Sequence, residues 1–171
     1  MDVERLKAVQ APLKQRYAEN AAAAVVTLRA TGDLAGDDIA CTVATGKALV
    51  AAGLHPASGG DGSLACSGDM LLQALVACAG VTLRAVATAL EFRLEGGTVE
   101  AEGDLDFRGT LGVDKLAPVG FRAIRLSFAL ATDEPQDRIA TLTRLTERYC
   151  VVLQTLRSPA AISLDVAVQE A

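Results

Sequence analysis

Residues 71–86 read LLQALVACAGVTLRAV, an apolar run broken only by Gln73, Thr82 and Arg84. Extended from Met70 to Leu90, it is long enough at ~1.5 Å rise per residue to cross a hydrocarbon core of ~30 Å. Gln73, Arg84 and Thr88 argue against that use, since an arginine near mid-span costs about 2.5–3.5 kcal/mol on insertion scales. The run reads instead as a helix buried all round by protein, with no membrane partner expected. Within it, Ala74, Cys78, Thr82, Ala85 and Ala89 form a ridge of small residues that lets a second helix approach closely. A free cysteine in such a place is ordinarily a small hydrophobe, so a chemical role for Cys78 requires a partner and a reason for reactivity.

Composition narrows the search. The chain has 171 residues, 51% of them hydrophobic, which suffices for one domain with its own core and no need of disulfide or metal staples. A formal charge of −5 and the absence of a basic stripe argue against nucleic-acid binding. The opening MDVERLKAVQAPLKQRY mixes both charge signs and lacks the order of a signal peptide, so a cytoplasmic location is expected. The four cysteines, Cys41, Cys66, Cys78 and Cys150, are then expected to be reduced, and any bond between them transient and chemical rather than structural. No C-x-x-C occurs and His55 is the single histidine, so no metal site is expected.

Working outward, Val3, Leu6, Val9 and Leu13 have helical spacing, with Pro12 expected to shorten or kink the helix; residues 1–20 read as an accessory helix and 21–171 as a single domain. Ala24–Ala30 and Ile39–Thr45 are strand candidates flanking the turn-rich TGDLAGDD, with Cys41 on the face of Ile39 and Val43 and so assigned to the core. The loop GLHPASGGDGSLACSGD leads into the apolar helix, for which Ser67 or Asp69 is the expected cap, and it leaves Cys66 as an exposed thiol. Its GGDGS lacks the Lys-Ser/Thr ending of a phosphate loop.

Beyond the apolar helix, Thr98–Arg108 alternates, Val99, Ala101, Leu105 and Phe107 against Glu100, Glu102, Asp104 and Asp106, as a half-exposed antiparallel strand does; Ile124, Leu126, Phe128 and Leu130 repeat the pattern. Asp133-Glu-Pro-Gln is expected to cap and open a second helix, with Gln136 placed for a capping box. The spacing Ile139, Leu142, Leu145, Tyr149, Val152, Leu156 predicts one amphipathic helix carrying Cys150. Ile162, Leu164, Val166 and Val168 alternate as a closing strand.

The run HPASGGDGSLACSGDMLLQALVACAGVTLRAVA (55–87) resembles the family of osmotically inducible protein C and the organic hydroperoxide resistance proteins. Gly59-Gly60 match its loop, Leu71-Leu72 and Ala74-Leu75 its helix start, and Arg148-Tyr149-Cys150-Val151-Val152 its second cysteine motif. The resemblance implies an α+β fold in which antiparallel sheets pack around two central helices of an intertwined homodimer. It implies Cys78 as the peroxide-attacking cysteine and Cys150 as the resolving one, with an organic hydroperoxide as substrate, an external dithiol as reductant and no cofactor. The family's peroxidase branch carries a glutamate where Gly68 stands here and an arginine in the N-terminal hairpin; Asp69 and Arg29 are the nearest candidates for those thiolate-tuning roles.

Peroxide reduction needs a thiolate, and burial raises a cysteine from its usual pKa near ~8.5, so a compensating positive charge is expected, from Arg29, Arg84 or Arg122. Six residues from Cys78, Arg84 should point away from it. Two other readings stay open. The chain could be a non-catalytic dimer binding a small apolar ligand, or a thiol redox sensor that forms the Cys78–Cys150 bond without turnover.

Overall fold

The computed structural model describes residues 2–20, 32–33, 40–44, 49–158 and 160–168. A first helix, α1 (Val3–Glu19), runs through Pro12. Short strands β1 (Gly32–Asp33), β2 (Ala40–Ala44) and β3 (Leu49–Gly53) follow, joined in antiparallel order, and β4 (Ala65–Cys66) adds parallel to β3. The expected strand Ala24–Ala30 and Arg29 lie outside the described residues, as does the side chain of Cys41, whose backbone pairs opposite Ala52. Between β3 and β4 the chain makes a 3-10 turn, Pro56–Ser58, capped by His55. Gly60 is required there, because a β-carbon would lie 1.8 Å from the Leu54 carbonyl oxygen.

The apolar run becomes α2 (Ser67–Ala89). Its cap is not Ser67 or Asp69. Cys66, extended at φ −81° and ψ 132°, occupies the N-cap and makes no side-chain capping bond, because the residue before the helix belongs to a strand. Asp69 lies in the first turn, where a carboxylate favours the positive end of the helix dipole. Nor is the helix buried all round: Leu75, Ala79, Leu83 and Ala87 form one buried stripe, while Val81 is 71% exposed. Among the described residues α2 is the one helix long and apolar enough to cross a membrane, by length and composition alone.

The alternating segments form a two-stranded sheet, β5 (Gly96–Leu105) and β6 (Phe121–Ala131), antiparallel from Gly96↔Ala131 to Leu105↔Phe121 with an irregularity at Asp104/Leu105. One face, with Val99, Ala101, Ile124, Leu126 and Phe128, packs against the buried stripe of α2. Gly103 lies under the Phe121 ring, 2.4 Å from where its β-carbon would stand. On the other face Arg125 bonds Glu102 (3.0 Å) and Asp104 (2.9 Å from Nη2), so the acidic face carries its own cation. Between the strands, Asp106 caps the short α3 (Phe107–Thr110).

Helix α4 (Gln136–Tyr149) is preceded by Pro135 at the N-cap, again with no side-chain capping bond. Asp133 pairs with Arg93 (2.8 Å) instead, and Glu134 takes the Arg138 guanidinium (2.8 Å), so both acids are drawn off by arginines. The predicted single helix is in fact two: α4 ends at Cys150 and α5 (Val151–Arg157) begins there. Two buried clusters result, one around Leu83, Ala87, Phe92 and Leu142, the other around Leu75, Ala79 and Cys150. Residues 160–168 are neither helix nor strand, so the expected closing strand is unpaired.

Candidate active site

Cys78 lies near the middle of α2, half-buried, and Cys150 is fully buried in the same apolar cluster. Both thiols are free. Cys150 has left the helical region (φ −72°, ψ 104°), which makes it at once the last cap of α4 and the first of α5. Its N–H donates to the Thr146 carbonyl (3.0 Å) and its carbonyl accepts from Gln154 N–H (2.9 Å). The amides of Val151, Val152 and Leu153 are therefore released from α4 and, as the first residues of a new helix, have no carbonyl of their own to bond.

All three of those amides face sulfur, Val151 and Val152 toward Cys78 and Leu153 toward Cys150. Burial, the largest single influence on Cys78, pushes its thiol up, but four donors outweigh it: the Val152 N–H, the Cys150 thiol, the Thr82 hydroxyl and the Val151 N–H. The net effect holds Cys78 below the ordinary thiol range. Cys150 moves the opposite way. Burial raises it, the Leu153 N–H opposes, and donation to Cys78 and the charge there raise it further. The two thiols are thus shifted in opposite directions, Cys78 toward the ionised form and Cys150 toward the protonated one.

Among the described residues the anticipated cations stand elsewhere, and the donors to Cys78 are uncharged. Arg84 is exposed and borders a hollow with Leu6, Ala85 and Thr88, Arg122 is 3.8 Å from Asp106, and Arg148 lies over the Tyr149 ring. Asp69, nine residues before Cys78, is about 13 Å up the α2 axis at ~1.5 Å per residue and is not brought to the pair. His55 serves its turn: Nδ1 accepts from Ala57 N–H (3.0 Å) and the ring stacks on Phe107 at 5.0 Å. Cys66 is half-buried beside β3, not an exposed loop thiol. Among the described residues no cluster of three or more His, Cys, Asp or Glu could hold a metal ion.

Sequence reasoning placed Thr82 on the small-residue ridge but gave it no task, although its position one turn after Cys78 was the available signal. The amides of Val151 and Val152 had no signal at all. Two apolar spaces adjoin the site. One, of about 490 Å³, lies between α1 and α2 and is bordered by Leu6, Val81, Thr82, Val86 and Tyr149. The other, of about 400 Å³, opens between β6 and α5 behind Leu75 and Leu153.

The family model for OsmC-like proteins matches residues 60–165, more than half the chain and both cysteine motifs. The chain belongs to the OsmC-like family. The OsmC-like fold recurs in solved structures. The OsmC-like protein of Mycoplasma pneumoniae is 18% identical, with a TM-score of 0.65 over 78% of this chain and 89% of that one. An organic hydroperoxide resistance protein OsmC from Legionella pneumophila is 18% identical, with a TM-score of 0.56 over 78% and 91%. An organic hydroperoxide resistance protein from Elizabethkingia anophelis, solved with thiocyanate bound, is 14% identical, with a TM-score of 0.59 over 79% and 91%. No curated protein sequence matches the chain. The α+β architecture is thus that of OsmC-like proteins, with α2 as the central helix.

Proposed function

We propose that this OsmC-like chain is a cysteine-dependent peroxidase that reduces organic hydroperoxides, with Cys78 attacking and Cys150 resolving. The single observation that carries the reading is the meeting of the two cysteines in one buried cluster, with one thiol drawn below its ordinary pKa and the other above it. A thiolate is the nucleophilic form of cysteine, and a protonated neighbour within hydrogen-bond reach is placed to deliver the second half of the chemistry.

The Cys78 thiolate attacks the terminal oxygen of the hydroperoxide. The S–O bond forms as the O–O bond breaks, and the alkoxide leaves, taking a proton from solvent to become the alcohol. Cys78 is then a sulfenic acid. The Cys150 sulfur attacks Cys78 sulfur, the S–S bond forms, and hydroxide leaves with the Cys150 proton as water. An external dithiol returns both cysteines to thiols by exchange through a mixed disulfide. Full burial of Cys150 favours the intramolecular step over any reaction of that thiol with bulk solutes. The apolar wall of Val81, Val86 and Ala89 suits an alkyl group better than water or hydrogen peroxide.

Two further parts of the reading concern setting. The exposed apolar flank of α2, with Val81 at 71% and Leu71 at 38% exposure, supports a homodimer that covers it. A reducing cytoplasm suits thiols that must be restored after each cycle.

The test is a thiol count after one equivalent of cumene hydroperoxide. The reading requires rapid loss of two thiols, no loss at these positions in Cys78→Ser, and a sulfenic acid trapped by dimedone in Cys150→Ser. With excess dithiol, consumption must exceed one peroxide per chain; a stop at one would make the pair a sensor. No selective loss would leave a passive binder of apolar ligands, a reading favoured by the uncharged character of the groups that, among the described residues, lower Cys78.

A further inference from the structure

Among the described residues one buried side-chain oxygen or nitrogen has no hydrogen-bond partner, and it is Thr146 Oγ1. Thr146 is 1% exposed and lies one turn before Cys150 on α4. A buried hydroxyl left unpaired is destabilising, and a helical threonine commonly avoids this by donating to the carbonyl four residues back. Thr88, Thr143 and Thr155 do so, each at 2.9 Å. Thr146 forgoes the equivalent bond to Leu142.

Packing shows where this oxygen stands. Leu142 shares a cluster with Leu83 and Ala87, whereas Cys150 shares one with Leu75 and Ala79, so α4 runs antiparallel to α2. Thr146, midway between Leu142 and Cys150, therefore lies opposite the turn of α2 that carries Cys78 and Thr82. One helical turn, ~5.4 Å along the axis, separates the levels of Cys150 and Thr146, and Cys78 meets α4 between them. The Cys78 sulfur thus has a thiol on one side along α4 and an idle hydroxyl on the other.

We propose that Thr146 Oγ1 holds the oxygen that Cys78 acquires and stabilises it as it departs. The inference rests on the peroxidase reading and deepens its second step. Displacement at sulfur is in line, with the entering and leaving atoms on opposite faces. As the Cys150 sulfur attacks, the S–S bond forms and the S–O bond breaks on the side away from Cys150, toward Thr146. The oxygen departs with its own hydrogen, takes the Cys150 proton and leaves as water. The Thr146 hydroxyl donates a hydrogen bond to that oxygen while negative charge gathers on it, and keeps its own proton throughout. A donor already in place where charge develops acts without reorganising. The division of labour between two threonines follows: Thr82 faces the sulfur before oxidation, and Thr146 faces the oxygen after it.

The test is the fate of the sulfenic acid. In a background with Cys41 and Cys66 replaced by serine, the protein receives one equivalent of cumene hydroperoxide with dimedone present, and Cys78 partitions between the dimedone adduct and the Cys78–Cys150 disulfide. Thr146→Val should raise the ratio of adduct to disulfide at least about 10-fold, the scale of one lost hydrogen bond to a charge-bearing oxygen. Thr146→Ser should return it. The pH midpoint of Cys78 alkylation by iodoacetamide should not move in either variant. Thr146→Ala repeats the measurement should the valine variant not fold. An unchanged ratio overturns the inference and leaves the peroxidase reading standing. A displaced alkylation midpoint also overturns it, since the hydroxyl would then act on the thiolate. Neither adduct nor disulfide with Thr146 in place overturns both.

Discussion

Cys78 packs against Cys150 in one apolar cluster, and the two thiols are drawn to opposite sides of their ordinary pKa. The arrangement relies on uncharged donors among the described residues. It comes from a helix that stops and restarts at Cys150, turning the Val151 and Val152 amides toward a residue carried on another helix. The downward shift of Cys78 has consequences for its rate of reaction and for stability.

Alkylation of Cys78 by iodoacetamide should rise with pH and level off below the ~8.5 midpoint of an unstrained thiol. The linkage has a definite sign. A folded pKa below the unfolded one contributes stability above the unfolded pKa, and that contribution is lost as pH falls through the folded value. Cys150, raised on folding, contributes below its unfolded pKa and loses the contribution as pH rises through its folded value. Melting temperature followed from pH 6 to 10 should therefore change less in Cys78→Ala/Cys150→Ala than in the natural chain. A Cys78 midpoint above that of a free thiol would contradict the assignment.

Thr82→Val removes the hydroxyl donor and keeps the branched shape. A hydrogen bond to a charged group is worth about 1.5–3 kcal/mol, so the Cys78 midpoint should rise by about one to two pH units. Thr82→Ser should restore it. An unchanged midpoint in the valine variant, measured by the same alkylation profile, would show that the hydroxyl is not directed at sulfur.

Leu75 is fully buried between Cys150 and the β6 wall. Leu75→Ala removes its contacts and leaves a cavity, so a loss of about 2–5 kcal/mol in urea unfolding is expected. Val81→Ala, at 71% exposure in the single chain, should cost far less unless a partner covers it. Comparing the two variants at low and high protein concentration thus also reports on the homodimer.

Gly103→Ala should destabilise by about 1–3 kcal/mol, the usual range for an overpacked core position. The reason is steric, since the new methyl would lie 2.4 Å from the Phe121 ring. Phe121→Leu in the same chain should recover part of the loss. A fully additive double variant would mean that the ring does not set the cost.

Much of this was legible in the residues. The apolar run 71–86 announced α2, the alternation at Val99–Leu105 and Ile124–Leu130 announced β5 and β6, and the two cysteine motifs pointed to the OsmC-like family. Caps were misread at both helices for different reasons: Cys66, a strand residue, occupies the N-cap of α2, whereas ahead of α4 Arg93 holds Asp133, a contact set by how the chain folds back. The break at Cys150 was invisible for a different reason. A spacing of three and four residues survives one non-helical residue, and Val151 stands where a proline would have marked a new helix.

The sequence by itself determined which segments are apolar, their period, and hence the central helix and the paired strands, because these depend on side chains a few residues apart. Only the tertiary structure decided that Cys78 meets Cys150, that backbone amides and a threonine hydroxyl face the Cys78 sulfur, and that the two thiols are shifted in opposite directions. Those depend on backbone groups, which every residue carries alike, and on where packing leaves them without a partner.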